Sequence, residues 1–118
     1  MSNLELVKEI TDAFCSNHLD REVLSKYFAR DFKHIANGEE TDLAGYSAHL
    51  AEYGKNYKHF RIPAWDELFE SGDKVVASYM LEGETSSGEK QSTAVMAVWR
   101  IKDGKVTSLR EVDASETS

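Results

Sequence analysis

Residues 90–113 read KQSTAVMAVWRIKDGKVTSLREVD, and this stretch decides the class of fold. It contains two runs of alternating apolar and polar side chains, separated by Asp103-Gly104. Such alternation is typical of strands that bury one face, and Asp-Gly between two such runs favours a two-residue hairpin turn. We therefore predict antiparallel strands over Lys90–Lys102 and Lys105–Asp113, with residues 114–118 as a polar tail that frays.

Two earlier segments extend the predicted sheet to four antiparallel strands. Lys74–Glu84 alternates in the same way and follows the turn Ser71-Gly72-Asp73. Lys58–Glu70 also alternates, but Pro63 lacks an amide hydrogen and is expected at a bulge or an edge. The alternation places one set of side chains on a shared face of the last three strands. That set is Val75, Ala77, Tyr79 and Leu81, then Thr93, Val95, Ala97, Trp99 and Ile101, then Leu109, Glu111 and Asp113.

The first half of the chain has helical periodicity instead, with apolar residues recurring every three or four positions. The predicted N-caps are Ser2, Asp20 and Asp42. The second helix is expected to include Phe28, and the third to stop at Gly54. Between them, Phe32–Ala36 is a short strand candidate closed by Asn37-Gly38. Helices that pack on a mainly antiparallel sheet define an α+β fold.

Composition narrows the classes of function. The chain has 118 residues, expected to form one domain over residues 1–118, and a net charge of −7, which disfavours nucleic acid and membrane surfaces as partners. Cys15 is the only cysteine, and no signal peptide or membrane span is recognisable, so we expect a cytoplasmic protein. The sequence has no glycine-rich phosphate loop and no metal-ligand spacing, so no cofactor and no metal are expected.

Three stretches carry a resemblance to a known family. They are DREVLSKYFARDF at residues 20–32, FESGDKVVASY at residues 69–79, and VWRIKDGKV at residues 98–106 leading into LREVD at residues 109–113. In order and spacing they resemble the NTF2-like superfamily, in particular its SnoaL-like branch. The resemblance implies a cone-shaped, cystatin-like fold, in which three N-terminal helices and a curved sheet enclose a pocket for a small apolar organic molecule. It also implies a homodimer that packs sheet against sheet.

The candidate catalytic residues are two acids and a histidine. Glu111 and Asp113 lie one pleat apart on the last predicted strand and face the same way as Trp99. A carboxyl group in an apolar pocket can exchange protons near neutral pH, and SnoaL-like cyclases resemble this arrangement. His34 could pair with either acid to form a general base. The alternatives are that both acids are solvated and that His34 is a core residue bonded to a backbone carbonyl.

Aromatic residues are the candidates for ligand binding. Tyr79 is the first choice as a hydrogen-bond donor, because a buried phenol needs a partner. The further candidates are Trp99, Trp65, Tyr46 and Tyr53. The alternative for all of them is ordinary packing in the core.

The opposite face of the predicted sheet is also apolar, where a solvated face would be polar. It carries Val76, Met80, Ala94, Met96 and Val98. An apolar patch of this kind is typical of an interface, so we predict a homodimer through this face.

The function of the chain stays open at this level, because the resembling family includes isomerases, cyclases, hydrolases and proteins without known chemistry. The first hypothesis is an acid–base enzyme for a small, mostly apolar organic molecule. The alternatives are a binding protein without turnover that uses the same pocket, and a protein-interaction module of the same fold. The distances between His34 and the two acids discriminate between the first two.

Overall fold

The computed structural model describes residues 2–16 and 20–116. Within them the elements are α1 (Asn3–Cys15), α2 (Arg21–Tyr27), β1 (Phe28–Ala36), β2 (Glu39–Asp42), α3 (Leu43–Asn56), β3 (Tyr57–Arg61), β4 (Trp65–Ser71), β5 (Lys74–Thr85), β6 (Lys90–Lys102) and β7 (Lys105–Glu116). The three predicted caps are confirmed, since the side chains of Ser2, Asp20 and Asp42 each accept a hydrogen bond from the amide three residues later. These bonds satisfy amides that have no partner inside the helix.

The strands form one sheet in the order β2-β1-β7-β6-β5-β3, and β4 also pairs with β5. All neighbours are antiparallel except β1 and β7, which run parallel. The α+β class is confirmed, but the prediction of a four-stranded antiparallel sheet is wrong, because the sheet is larger and mixed. The expectation of three N-terminal helices is not confirmed either, since β1 and β2 precede α3.

Two predicted boundaries differ for reasons of backbone chemistry. The segment Lys58–Glu70 is not one strand, because β3 ends at Arg61 and β4 begins at Trp65, on either side of Pro63. A proline cannot donate to the ladder of hydrogen bonds, so the chain leaves the sheet there. Phe28 does not belong to the second helix; its backbone is extended and it begins β1 opposite Val106.

Two elements, α3 and β7, extend further along the chain than predicted. The third helix continues past Gly54 to Asn56, and Gly54 is not among the glycines with positive φ that would end a helix. The predicted polar tail is part of β7 as far as Glu116, because residues 114–116 pair with residues 92–94 of β6.

The predicted two-residue hairpin at Asp103-Gly104 is confirmed, and Asn37-Gly38, which was predicted only to close a strand, forms a second hairpin of the same kind. Asn37 and Gly38 connect β1 to β2 with φ values of 52° and 86°, and Asp103 and Gly104 connect β6 to β7 with φ values of 52° and 76°. Two successive positive φ values define the turn that matches the twist of antiparallel strands. Asparagine, aspartate and glycine tolerate this conformation better than other residues.

The helices pack against one face of the sheet, which we call the inner face. It includes the buried residues Val75, Ala77, Tyr79, Val95, Ala97, Trp99, Ile101 and Leu109. The predicted sharing of a face by these strands is therefore confirmed. The opposite face, which we call the outer face, carries the predicted set Val76, Met80, Ala94, Met96 and Val98 and, in addition, Phe69 and Val112. Among residues 2–16 and 20–116, no helix has the length and apolar character to cross a membrane.

Candidate active site

A cavity of about 220 Å³ lies between the helices and the inner face of the sheet. Aromatic and aliphatic side chains of α1, α3 and β3 form one wall, together with His49, and the wall on the side of β1 and β7 carries His34 and two carboxyl groups. The residues that line it are Ile10, Thr11, Phe14, His34, Tyr46, His49, Leu50, Tyr53, Tyr57, Phe60, Tyr79, Leu81, Gln91, Thr93, Val95, Trp99, Leu109, Glu111 and Asp113. A mostly apolar cavity with a few convergent polar groups is the usual form of a small-molecule site.

His34 and Glu111 meet at the wall of this cavity. The Nε2 atom of His34 lies 2.6 Å from Oε1 of Glu111. The contact follows from the parallel pairing of β1 and β7, in which His34 lies beside Leu109 and the next inward side chain of β7 is Glu111. Only 7% of the His34 side chain and 21% of the Glu111 side chain are exposed. Of the two predicted acid partners of His34, the structure brings Glu111 into contact.

The contact decides which nitrogen of His34 can act as a base. An ionised carboxylate only accepts hydrogen bonds, so the ring nitrogen that faces Glu111 carries the proton. In a neutral ring the other nitrogen, Nδ1, then has a free lone pair. This Nδ1 atom is buried and has no hydrogen-bond partner among the described protein atoms. The ring of Tyr46 packs beside it, with centroids 4.6 Å apart, and fixes the plane of the imidazole.

Asp113 has a different partner. The side chain of Asn37 donates to Oδ1 of Asp113 at 3.2 Å and accepts from the Asp113 amide at 3.0 Å. Asp113 lines the cavity but is exposed, so it lies at the rim, outside the direct contact between His34 and Glu111. The structure therefore separates the two acids into a partly buried partner of His34 and an exposed residue at the rim.

Three tyrosines place neutral hydroxyl groups around Glu111. Burial, and after it the negative charge of Glu111, raises the pKa of Tyr46 well above its ordinary value. The same two causes raise the pKa of Tyr79 and, less strongly, the pKa of the partly exposed Tyr53. All three tyrosines line the same cavity as Glu111. They stay protonated at neutral pH and can donate hydrogen bonds to a ligand.

The two tryptophans differ in position. Trp99 lines the cavity, is 3% exposed, and has an Nε1 atom without a hydrogen-bond partner in the described part of the chain. Trp65 is not among the lining residues. Its ring packs edge-on against Tyr79, with centroids 4.9 Å apart, and supports that tyrosine from outside the cavity.

Sequence reasoning missed several lining residues, of which His49, Phe60 and Gln91 are the most informative. His49 lies three positions after Tyr46 and four before Tyr53, so the spacing of α3 could have placed it on the same face. Phe60 stacks on Phe14, with centroids 4.9 Å apart, and forms the apolar wall. Gln91 accepts a hydrogen bond from the Tyr57 hydroxyl at 2.6 Å, a contact between distant strands that no sequence pattern signals.

A second concavity, of about 440 Å³, lies where β3, β5 and β6 meet. It is larger, but two of its acids are already engaged in ion pairs, Glu82 with Arg61 at 2.7 Å and Glu84 with Lys58 at 3.2 Å. We take the first cavity as the candidate site, because a buried histidine in contact with a carboxylate lies at its wall. No group of three or more metal-ligating side chains suited to a metal ion occurs within the described residues.

Comparison with known proteins identifies the class of this chain. The sequence model of the SnoaL-like domain matches residues 7–109, so the chain belongs to the SnoaL-like family. An uncharacterized protein of Schizosaccharomyces pombe is 23% identical over 106 residues, which cover 90% of this chain and 81% of that protein.

Solved structures confirm the fold. A proposed SnoaL-like polyketide cyclase from Jannaschia superposes with a TM-score of 0.77 at 18% identity, covering 94% of this chain and 84% of that one. IdmH, a proposed polyketide cyclase from Streptomyces antibioticus, has a TM-score of 0.78 at 16% identity, with 98% and 93% covered. An NTF2-like protein of unknown function from Burkholderia pseudomallei has a TM-score of 0.74 at 22% identity, with 98% and 92% covered.

Proposed function

We propose that this protein is an acid–base enzyme for a small, mostly apolar organic molecule, of the isomerase, cyclase or hydrolase type. The observation that carries the proposal is the 2.6 Å contact between His34 and Glu111 at the wall of the cavity. A buried histidine held by a carboxylate is a general base whose free nitrogen is oriented in advance. Two of the structurally similar proteins are described as proposed polyketide cyclases, which agrees with this class of chemistry.

The proposed chemistry begins with a carbon acid, a molecule with a C–H group next to a carbonyl. Nδ1 of His34 takes the proton, and the C–H electrons form an enolate. Glu111 stabilises the imidazolium, and the hydroxyl of Tyr79 or Tyr46 donates to the enolate oxygen. In an isomerisation the proton returns to another carbon of the ligand. In a cyclisation the enolate carbon attacks a second carbonyl of the same molecule, and the imidazolium protonates the new alkoxide.

The test is hydrogen–deuterium exchange at the carbon next to the carbonyl of cyclic ketones such as 1-tetralone, followed by NMR in D₂O. We expect the wild-type protein to accelerate the exchange, and we expect His34→Ala and Glu111→Gln each to lower the rate by about 10²- to 10⁴-fold. The matched controls are His59→Ala and Glu67→Gln, because both residues are exposed and lie outside the cavity. Equal rates in all five proteins would contradict the assigned roles. If the wild-type protein binds the ketone but does not accelerate its deuterium exchange, the alternative of a binding protein without turnover is favoured.

We also propose that the protein forms a homodimer through the outer face. In the single chain Met96, Val112 and Phe69 are 61%, 53% and 47% exposed. Exposed apolar residues that share one face of a sheet are typical of an interface. The remaining alternative, a module that binds another protein, requires an exposed apolar patch that stays free after dimerisation.

A further inference from the structure

Two buried side-chain atoms in the described residues have no protein hydrogen-bond partner, and both belong to residues that line the same cavity. They are Nδ1 of His34 and Nε1 of Trp99. Buried polar atoms in folded proteins almost always have a partner, because leaving one without a partner costs stability. Two such atoms at one cavity therefore point to a molecule that supplies the partners.

The cross-strand neighbours of Trp99 offer its indole no hydrogen-bond partner. Trp99 lies on the inner face of β6, with Val75 of β5 on one side and Leu109 of β7 on the other. Both neighbours are apolar and almost fully buried. An indole N–H can only donate a hydrogen bond. An acceptor that satisfies it has to come from a molecule that enters the cavity and displaces the side chains that now cover Nε1.

Charge limits what that acceptor can be. The carboxyl groups of Glu111 and Asp113 both line the cavity. A cavity lined by negative charge repels an anionic ligand. A neutral oxygen, such as that of a ketone, an ester or an ether, fits this charge better than a carboxylate or a phosphate.

We propose that the Trp99 indole N–H is the hydrogen-bond donor that orients the ligand, and that the ligand is a neutral molecule with an acceptor oxygen. The inference rests on the proposed function, because it is that acceptor which directs the rest of the ligand toward Nδ1 of His34. Trp99 then determines specificity: it favours oxygen-bearing molecules over hydrocarbons of the same shape. A ligand that fills both positions carries an acceptor for Trp99 and a proton within reach of His34.

The experiment uses 1-tetralone and tetralin, two bicyclic molecules of similar shape that differ by one carbonyl oxygen. Each is titrated into full-length protein labelled with ¹⁵N at the tryptophan indoles. The chain has two tryptophans, so Trp65 serves as the internal control. We expect 1-tetralone to move the Trp99 indole proton downfield and to leave Trp65 in place, and we expect tetralin to cause no downfield shift. Trp99→Phe is expected to weaken the binding of 1-tetralone by about tenfold and the binding of tetralin hardly at all.

The outcomes separate this inference from the proposed function. If the Trp99 signal does not respond to 1-tetralone, or if both probes bind equally well, the inference is wrong, even where His34→Ala abolishes deuterium exchange. A water molecule that satisfies Trp99 would give this result. If the Trp99 signal shifts while no variant changes the exchange rate, the inference holds and the proposed chemistry fails. The NMR shift in wild-type protein does not depend on whether Trp99→Phe folds.

Discussion

His34 shows how one side chain can be recognised in a sequence while its partner cannot be chosen. Its position in a short strand and the two acids on the last strand were visible in the residues. Which acid it would meet depended on the register between β1 and β7, which places Glu111 beside it. Asp113 instead exchanges two hydrogen bonds with Asn37, in the turn that follows β1. Neither fact has a local signal in the sequence.

The tyrosines of the cavity make stability depend on pH in a defined direction. Burial raises the pKa of Tyr46 and of Tyr79 above the ordinary value of 10.0. Above that pH the unfolded chain releases these phenolic protons while the folded protein keeps them, so the free energy of unfolding falls as pH rises. The stabilisation is fully present below about pH 10.

We predict that Tyr79→Phe flattens this dependence by up to about 1.4 kcal/mol per pH unit between pH 10 and 11. The measurement is the free energy of unfolding of both proteins from urea denaturation, between pH 10 and 11 and around pH 7. Around pH 7 the free energies of unfolding of the two proteins should change with pH in parallel. Parallel slopes for the two proteins above pH 10 would mean that the Tyr79 phenol is not buried as described.

A second prediction about a single residue concerns the reactivity of the Cys15 thiol. Partial burial, and then the negative charge of Asp12, raises the pKa of the Cys15 thiol to about 11. The thiolate is the reactive form, so at pH 8 the native protein should react with a disulfide reagent on the order of a hundredfold more slowly than a free cysteine.

Reaction of the same protein in urea provides the control for Cys15. Because the chain has only one cysteine, the signal is unambiguous. Equal rates in the native and unfolded proteins would show that the thiol is accessible and not perturbed.

Among the elements, strands with a local partner were the most predictable. Alternation placed the inner-face residues of β5 and β6 correctly, and the pairs Asn37-Gly38 and Asp103-Gly104 marked two of the turns between neighbouring strands. The edge strand β2 was missed, because Glu39–Asp42 reads EETD and has no apolar alternation. The split between β3 and β4 was only half anticipated: proline signals an interruption but not its length.

The turn between β1 and β2 also ties these strands to β7. We predict that Asn37→Gly lowers the free energy of unfolding by about 1 kcal/mol, because both bonds to Asp113 are lost. Asn37→Ala should lower the free energy of unfolding by about 1 kcal/mol more than Asn37→Gly, because the left-handed backbone conformation is unfavourable for alanine. Urea denaturation measures both.

The control for Asn37 is Asp103→Gly, which changes a similar turn residue with a φ of 52° in the other hairpin. No hydrogen bond of the Asp103 side chain occurs within the described residues. If Asn37→Gly were as stable as Asp103→Gly, the bonds to Asp113 would contribute nothing to the fold.

The main prediction about the whole molecule concerns its association state. We predict that the wild-type protein sediments as a dimer at micromolar concentration and that Met96→Glu shifts it to a monomer, because a buried charge without a partner destabilises an interface. Ala48→Glu is the matched control, since it adds the same charge at an exposed position of α3. A monomeric wild-type protein in analytical ultracentrifugation would refute the proposed interface.

The parallel pairing of β1 with β7 has a consequence for how the chain is made. β1 leaves the ribosome early, but its neighbour β7 follows only after the rest of the sheet has been synthesised. Until then β1 and β6 present open edges, which are prone to wrong pairing with other chains. His34 and Glu111 are 77 residues apart, so the contact between them is a late event in folding. The pairing of β7 with β1 and β6 therefore completes the sheet and brings His34 and Glu111 together in the same step.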